Sequence, residues 1–117
     1  MASVKNMKAT FNNCGNLTSL DLSNFQTKDV TDMSYMFNNC SSLKYLKINF
    51  NTQKVTNMEK MFFSCIKLTS LNLTSFDTTA CYNFNNMFDN DIDLDLYIDK
   101  NKCSNLIEKL PEYVYPK

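Results

Sequence analysis

An internal repeat of about 25 residues runs through most of this 117-residue chain. The segment that begins at Val30 returns at Val55 with the same pattern of Met, Phe, Cys and Leu. An earlier copy begins at Val4, and a fourth, less complete copy begins at Cys81. A repeat of this length is a supersecondary unit that cannot bury its apolar side alone, so we expect the copies to stack on one another.

Two kinds of apolar spacing follow each other within each copy. Val30, Met33 and Phe37 have helical spacing, whereas residues 43–48 follow the tighter pattern L-x-x-L-x-L that is typical of a strand. The pattern predicts helices near residues 4–12, 30–38, 55–63 and 81–88. It predicts strands near residues 17–22, 43–48, 68–73 and within 92–98. Leu94 can be the first or the second leucine of the last strand, and both registers stay open.

The chain is long enough for one domain, and we expect it to have two parts. Residues 1–99 hold the repeats, which start near positions 4, 30, 55 and 81, and residues 100–117 form a C-terminal cap. The apolar spacing after Lys102 predicts a capping helix that ends before Pro111, because proline cannot continue a helix. The predicted class is α/β, with a parallel sheet and short helices.

The repeat columns resemble the BspA-type leucine-rich repeat family, whose motif recurs in mycoplasma surface lipoproteins and in some protist surface proteins. Its hallmark is V-T-D-M-x-x-M-F-x-x-C-x-x-L-x-x-L-D-L-S-x-F-D-T. Residues 4–88 match it over nearly their whole length, and the copy from Val30 to Leu43 matches without a departure. The resemblance implies a right-handed, leucine-rich-repeat-like solenoid of about four repeats. It also implies adhesion or protein binding at a cell surface or in a secreted protein, and it brings no catalytic residues.

The composition argues against several function classes. Twelve lysines balance twelve acidic residues, and the chain has no Arg and no His, so nucleic-acid binding, zinc chemistry and common acid-base catalysis lack their usual side chains. Gly15 is the single glycine, which excludes glycine-rich phosphate loops. We therefore expect neither an enzyme nor a cofactor. No apolar run is long enough to span a membrane, and no signal peptide follows Met1.

The five cysteines favour core packing over metal binding. Cys14, Cys40 and Cys65 occupy one column of the repeat, which indicates a ladder of small buried side chains, with a disulfide or a metal site as less favoured alternatives. Cys81 is expected to be buried too, whereas Cys103, before the capping helix, is the best candidate for an exposed thiol. Methionines also fall at repeat columns, which indicates core packing: Met7, Met33, Met36, Met58, Met61 and Met87.

An acidic stretch follows the last complete motif. Its carboxylates alternate with apolar side chains, which favours a strand with one charged face over a calcium loop that lacks its Gly and Glu: Asp89, Asp91, Asp93 and Asp95. Such a face discourages pairing at a sheet edge.

Residues 1–88 carry a net charge of +3 and residues 89–117 a net charge of −3, so end-to-end association is conceivable for an otherwise monomeric chain. Glycosylation motifs at Asn16, Asn39 and Asn72 reflect composition.

The exposed face of the predicted sheet is the candidate binding site. If Leu20, Leu46 and Leu71 point inward and are buried, the residues between the strand leucines point outward. This predicts three outward columns: Ser19, Tyr45 and Ser70; Asp21, Lys47 and Asn72; Ser23, Asn49 and Thr74. Tyr45 beside Lys47 supplies the aromatic anchor for a protein or glycan ligand. Alternatives are an unused solvated sheet, a self-assembling or stalk module, and an accessory domain of a larger protein.

Overall fold

The computed structural model describes residues 4–117. Within them the fold is mixed, with short strands in parallel sheets and one short helix. The elements are β1 (Ser19–Asp21), β2 (Tyr45–Lys47), β3 (Ser70–Leu73), β4 (Leu94–Ile98), α1 (Ser104–Ile107) and β5 (Val114–Pro116). No helix in this part of the chain is long and apolar enough to cross a membrane.

All pairings between the strands are parallel, but the sheet is interrupted. β1 pairs with β2, and β4 lies between β3 and β5 in a second sheet. No strand pairing joins β2 to β3 in the described residues. The repeat sets the register, because Leu20 lies opposite Leu46 and Leu71 lies opposite Leu96. The four predicted strands are confirmed, although they are shorter than predicted, and β5 is an additional strand.

The four helices predicted for the repeats are wrong. These segments are successions of turns, in which hydrogen bonds within a turn alternate with hydrogen bonds to the next repeat. The N–H of Phe37 donates to the carbonyl of Met61 at 2.9 Å, while the N–H of Asn38 donates to the carbonyl of Tyr35 at 3.2 Å. In an α-helix, each N–H donates to the carbonyl four residues back in the same segment. Here alternate N–H groups donate to the next repeat instead, so these segments are not helices.

Left-handed backbone conformations recur in every turn segment and also oppose a helix. They occur in pairs four residues apart, with φ between 51° and 70°: Ala9 and Asn13, Tyr35 and Asn39, Lys60 and Ser64, Asn86 and Asn90. For an L-residue, this left-handed conformation costs roughly 1–2 kcal/mol of free energy. The apolar spacing that is typical of a helix is therefore produced here by a repeated turn. In this turn, too, every third or fourth side chain points into the core.

A stack of phenylalanine rings forms the centre of the core. Phe37 lies between Phe11 and Phe62, with ring centroids 5.6 Å and 5.5 Å away, and Phe88 stacks on Phe62 at 5.5 Å. The rings are within 8° of parallel. Offset stacking of this kind stabilises aromatic pairs beyond the burial of their area. The same position in successive repeats thus forms one continuous apolar column.

The cysteine column also connects the repeats. Cys40 and Cys65 are buried, and their thiols donate to the carbonyls of Phe11 and Phe37 in the preceding repeat. Cys14 is half-buried, and all five cysteines are free thiols. Cys103 is buried as well, with its thiol 3.2 Å from the carbonyl oxygen of Phe76. The prediction that Cys103 is exposed is wrong, because α1 places this side chain under the last repeat.

The C-terminal part differs from the repeats in register and partners. Of the two registers left open for Leu94, the one with Leu94 as the second strand leucine is wrong, because Leu96 takes that position and Ile98 the third. The buried Leu94 precedes them as the first leucine, at a shorter spacing than in the earlier repeats. The predicted capping helix exists as α1, which has four residues and buries Leu106. β5 then pairs with β4, so β4 is not an edge strand and needs no charged face to protect it.

Candidate functional site

The exposed side chains of β1 to β5 define what we call the sheet face. Parallel register places Ser19 beside Tyr45 and Asp21 beside Lys47. Each side chain of the predicted site is exposed: Ser19, Asp21, Tyr45, Lys47, Asn49, Ser70 and Asn72. Thr74 is exposed too, whereas Ser23 is half-buried. The predicted exposure is confirmed except at Ser23, and the binding role of these residues stays a prediction.

The interruption between β2 and β3 leaves a groove in the sheet face. It consists of two adjoining depressions of about 390 and 740 Å³, which share Ser19, Lys44, Tyr45 and Thr69. The smaller one is lined by Leu20, Leu46, Ser19, Asp21, Lys47 and Ser70, and the larger one by Thr18, Ser19, Ser42, Ile66 and Lys67. The structure thus brings five of the predicted site residues to one groove, but not Asn49 and Asn72.

The apolar part of the smaller depression corrects one prediction. Leu71 is 1% exposed, as predicted, but Leu20 and Leu46 are only half-buried. Both leucines line the groove, Leu20 on β1 and Leu46 on β2, which does not pair with β3. The groove therefore combines a partly exposed apolar surface with polar and charged side chains.

Tyr45 is the most prominent side chain of the groove. It is 66% exposed, and the Nζ atom of Lys44 lies 5.6 Å from the centroid of its ring. An ammonium group at this distance from an aromatic face makes a cation–π contact, worth about 0.5–1 kcal/mol at an exposed position. This contact orients the ring while leaving much of its surface accessible to a ligand.

The charges around the groove are mostly positive. Lys44, Lys47 and Lys67 line it with Asp21 as the acidic side chain. Within residues 4–117, none of the three lysines has an ion pair shorter than 4.0 Å. Hydrogen bonds from the hydroxyl and the N–H of Ser23 hold the pKa of Asp21 below its usual value, and Lys47 adds to the effect. Asp21 is therefore ionised at neutral pH.

Sequence reasoning missed the far side of the sheet face. Tyr97 on β4 and Tyr115 on β5 are 44% and 43% exposed. The hydroxyl of Tyr115 donates to Asp93 at 3.1 Å, and this hydrogen bond to a carboxylate raises the pKa of Tyr115. The repeat motif decays before this region, so no column indicates it. The alternation of Tyr113, Val114 and Tyr115 is the signal that could have revealed the strand.

The acidic stretch does not form a single site. Asp89 accepts a hydrogen bond from Asn86, Asp93 from Tyr115, and Asp95 forms an ion pair with Lys117 at 3.5 Å. Asp91 is buried and Ile92 is 56% exposed, so the predicted strand with one charged face is wrong before Leu94. Among residues 4–117, no group of three His, Cys, Asp or Glu side chains is arranged to hold a metal ion.

Comparison with known proteins supplies a family but no function. A family model described as "Mycoplasma protein of unknown function, DUF285" matches residues 3–112. No curated protein and no solved structure matches the chain. Because the matched segment includes every repeat, the groove and α1, the chain belongs to this Mycoplasma family of unknown function.

Proposed function

We propose that this chain is a non-catalytic recognition module that binds a protein or a glycan through its sheet face. The proposal includes a finer description of the fold, as a right-handed solenoid of about four BspA-type leucine-rich repeats with a C-terminal cap. The motif of residues 4–88 supports this description, and so do the hydrogen bonds that join each repeat to the next. The resemblance further suggests a cell-surface or secreted protein.

The groove beside Tyr45 is the observation that carries the proposal. An exposed aromatic ring, charged side chains and hydroxyl groups meet there on strands in parallel register. Tyrosine is enriched at binding hot spots, because its ring offers a large contact area and its hydroxyl a hydrogen bond. Lys47 and Asp21 lie side by side and can orient a polar ligand. These groups can bind and orient a ligand without any covalent step.

The chemistry of the groove favours binding over catalysis. Asp21 is ionised, and the remaining charged groups of the groove are lysines, which act as hydrogen-bond donors. A nucleophile in most hydrolases needs a neighbouring base within hydrogen-bond reach. The serine hydroxyl that lies within hydrogen-bond reach of Asp21 is that of Ser23, at 2.6 Å. Ser23 does not line the groove, so this pair does not present a nucleophile there. The arrangement therefore supports recognition of a ligand.

Affinity capture with matched variants tests the proposal. The wild type, the double variant Tyr45→Ala/Lys47→Ala and the control Tyr82→Ala/Lys28→Ala are immobilised and exposed to the same extract of surface proteins and glycans. Tyr82 and Lys28 are exposed but lie outside the groove. We expect a partner that the wild type and the control retain and the double variant loses. Equal capture by the double variant would remove the sheet face as the binding site.

The double variant must remain folded for this comparison. Both side chains are exposed, and substitutions at such positions usually change the free energy of unfolding by less than about 0.5 kcal/mol. Circular dichroism spectra and melting temperatures close to those of the wild type are therefore expected.

Self-assembly is a second candidate, which one observation favours. In the described residues, the carbonyl groups of Lys8, Thr10 and Asn12 accept no hydrogen bond, although the equivalent carbonyls of later repeats do. They face the side from which another repeat could add. Size-exclusion chromatography with light scattering tests this, because a recognition module is monomeric at micromolar concentration and an assembling module grows with concentration.

A further inference from the structure

Building on the proposed function, we infer that the groove binds an acidic polysaccharide, a sugar chain that carries carboxylate or sulfate groups. The charge of the groove is the first reason. Lys44, Lys47 and Lys67 contribute three positive charges against the single carboxylate of Asp21, although the whole chain is neutral. A cleft lined by one sign of charge attracts ligands of the opposite sign more strongly than the net charge suggests.

These lysines are available to a ligand. Lys44, Lys47 and Lys67 are exposed, and no carboxylate of the described residues lies within 4.0 Å of their Nζ atoms. By contrast, Lys54 and Lys117 are engaged by Asp29 and Asp95. Hydrogen bonds between an ammonium group and an anionic oxygen are about twice as strong as neutral ones. The anionic groups of a polysaccharide therefore meet ammonium groups in the groove that no carboxylate of the described residues already pairs with.

The exposed ring of Tyr45 favours a sugar over other anionic ligands. A pyranose ring presents a face of C–H groups, which packs on the negatively charged face of an aromatic ring. Tyr45 is 66% exposed and belongs to both depressions, so a sugar chain that crosses the groove meets its ring. The ammonium group of Lys44, 5.6 Å from the ring centroid, would then lie beside the bound sugar.

Hydroxyl groups complete the match to a polysaccharide. Ser19, Thr69 and Ser70 line the groove and are exposed, and each can donate to and accept from a sugar hydroxyl. The two depressions adjoin along the strands, which suits a polymer with several sugar units. A protein partner would instead need a well-packed pocket for buried side chains, and here Leu20 and Leu46 offer only a partly exposed strip.

The negative side of the sheet face limits where the polyanion lies. Asp93 is exposed just before β4. Asp95 on β4 is half-buried, lies beside Ser70 at the β3 side of the groove and forms an ion pair with Lys117. Like charges repel a polyanion, so the ligand is held over β1 to β3. Tyr97 and Tyr115 are thus excluded from this site, although they are aromatic and exposed.

Binding measurements with defined probes test the inference. Fluorescently labelled heparin and hyaluronan oligosaccharides supply sulfated and carboxylated sugars, dextran supplies a neutral sugar, and poly-L-glutamate supplies an anion without sugar. Anisotropy titrations of the full chain are carried out at low and at physiological salt. We expect at least one acidic polysaccharide to bind more tightly than dextran and poly-L-glutamate, and its affinity to fall with salt.

Variants locate the binding. Lys44→Ser/Lys47→Ser and Tyr45→Ala should each lower the affinity by about tenfold or more, which corresponds to about 1.4 kcal/mol. The matched controls Lys28→Ser and Tyr82→Ala, at exposed positions outside the groove, should stay within about twofold of the wild type. Native circular dichroism of every variant excludes unfolding as the cause of a loss.

Several results would overturn the inference. Poly-L-glutamate could bind as tightly as the acidic polysaccharides, or the control variants could lose as much affinity as the groove variants. A further such result would be that neither acidic polysaccharide binds at all. Binding of dextran that depends on Tyr45 would also overturn the acidic ligand class but would support sheet-face recognition. The affinity capture described above decides that recognition independently, so the two failures can be told apart.

Discussion

The backbone N–H of Cys65 donates a hydrogen bond of 2.8 Å to Oδ1 of Asp91, which occupies the cysteine position of the fourth repeat. Asp91 is buried, and its Oδ2 atom has no hydrogen-bond partner among the described residues. Burial raises the pKa of Asp91 to about 9, and the nearby carboxylate of Asp89 acts in the same direction. The side chain is therefore protonated in the folded protein at neutral pH.

Replacing Asp91 with Asn should stabilise the protein above pH 4. The folded-state pKa of about 9 exceeds the ordinary value of 3.8, so between these values the folded protein binds one more proton than the unfolded chain. The free energy of unfolding of the wild type then falls as pH rises through this window, by up to about 1.4 kcal/mol per pH unit. Asn keeps the acceptor for the N–H of Cys65 and does not titrate.

Urea denaturation at pH 5 and pH 8 checks this prediction. The wild type should lose stability between the two, while Asp91→Asn loses much less and is the more stable protein at pH 8. Glu112→Gln is a suitable control, because Glu112 is exposed and its substitution should leave the pH dependence of the wild type unchanged. Identical pH slopes for the wild type and Asp91→Asn would contradict a buried, protonated Asp91.

Phe37→Ala should be strongly destabilising. The ring is fully buried and stacks on Phe11 and Phe62, so its removal leaves a cavity in the middle of the phenylalanine column. We expect a loss of about 3–5 kcal/mol in the free energy of unfolding. Phe25→Ala is the matched control, since Phe25 is 44% exposed and should cost clearly less. Chemical denaturation measures both, and similar losses would argue against the stacked column.

Ala9→Gly distinguishes a turn from a helix by the sign of its effect. In a helix, glycine costs about 1 kcal/mol relative to alanine. Ala9 instead has φ of 59°, where glycine is unstrained, so the variant should be as stable as the wild type or more stable. Ala80→Gly, at a position without positive φ, should be neutral or destabilising. If Ala9→Gly lowered the melting temperature more than Ala80→Gly does, the result would contradict the turn and support a helix at this segment.

The thiols should react at different rates with a thiol reagent. Cys14 is half-buried and should be labelled first. Burial raises the pKa of Cys40 and of Cys81 to about 11, and it also raises the pKa of Cys65 and of Cys103, so few of these thiols are ionised. Mass spectrometry of the labelled native protein under reducing conditions gives the order. Labelling of Cys103 as fast as that of Cys14 would place Cys103 outside the core.

Much of the architecture follows from the sequence alone. The repeat offset locates β1 to β4 and places Leu71, Phe37 and the cysteine column in the core, because apolar side chains that recur at one position must pack on their counterparts in the next repeat. The alternation along the strands also predicts that Tyr45 and Lys47 are exposed.

Other features depend on how the repeats pack. The period of Val30, Met33 and Phe37 fits both a helix and a repeated turn, and the hydrogen bonds to the next repeat decide for the turn. The groove brings together residues of β1, β2 and the segment at β3, where β2 and β3 do not pair, and no local pattern reveals this arrangement. Burial of Cys103 likewise depends on its long-range contact with Phe76. The sequence alone thus determines which side chains are apolar and how often they recur, while the tertiary structure decides which backbone groups they bring together.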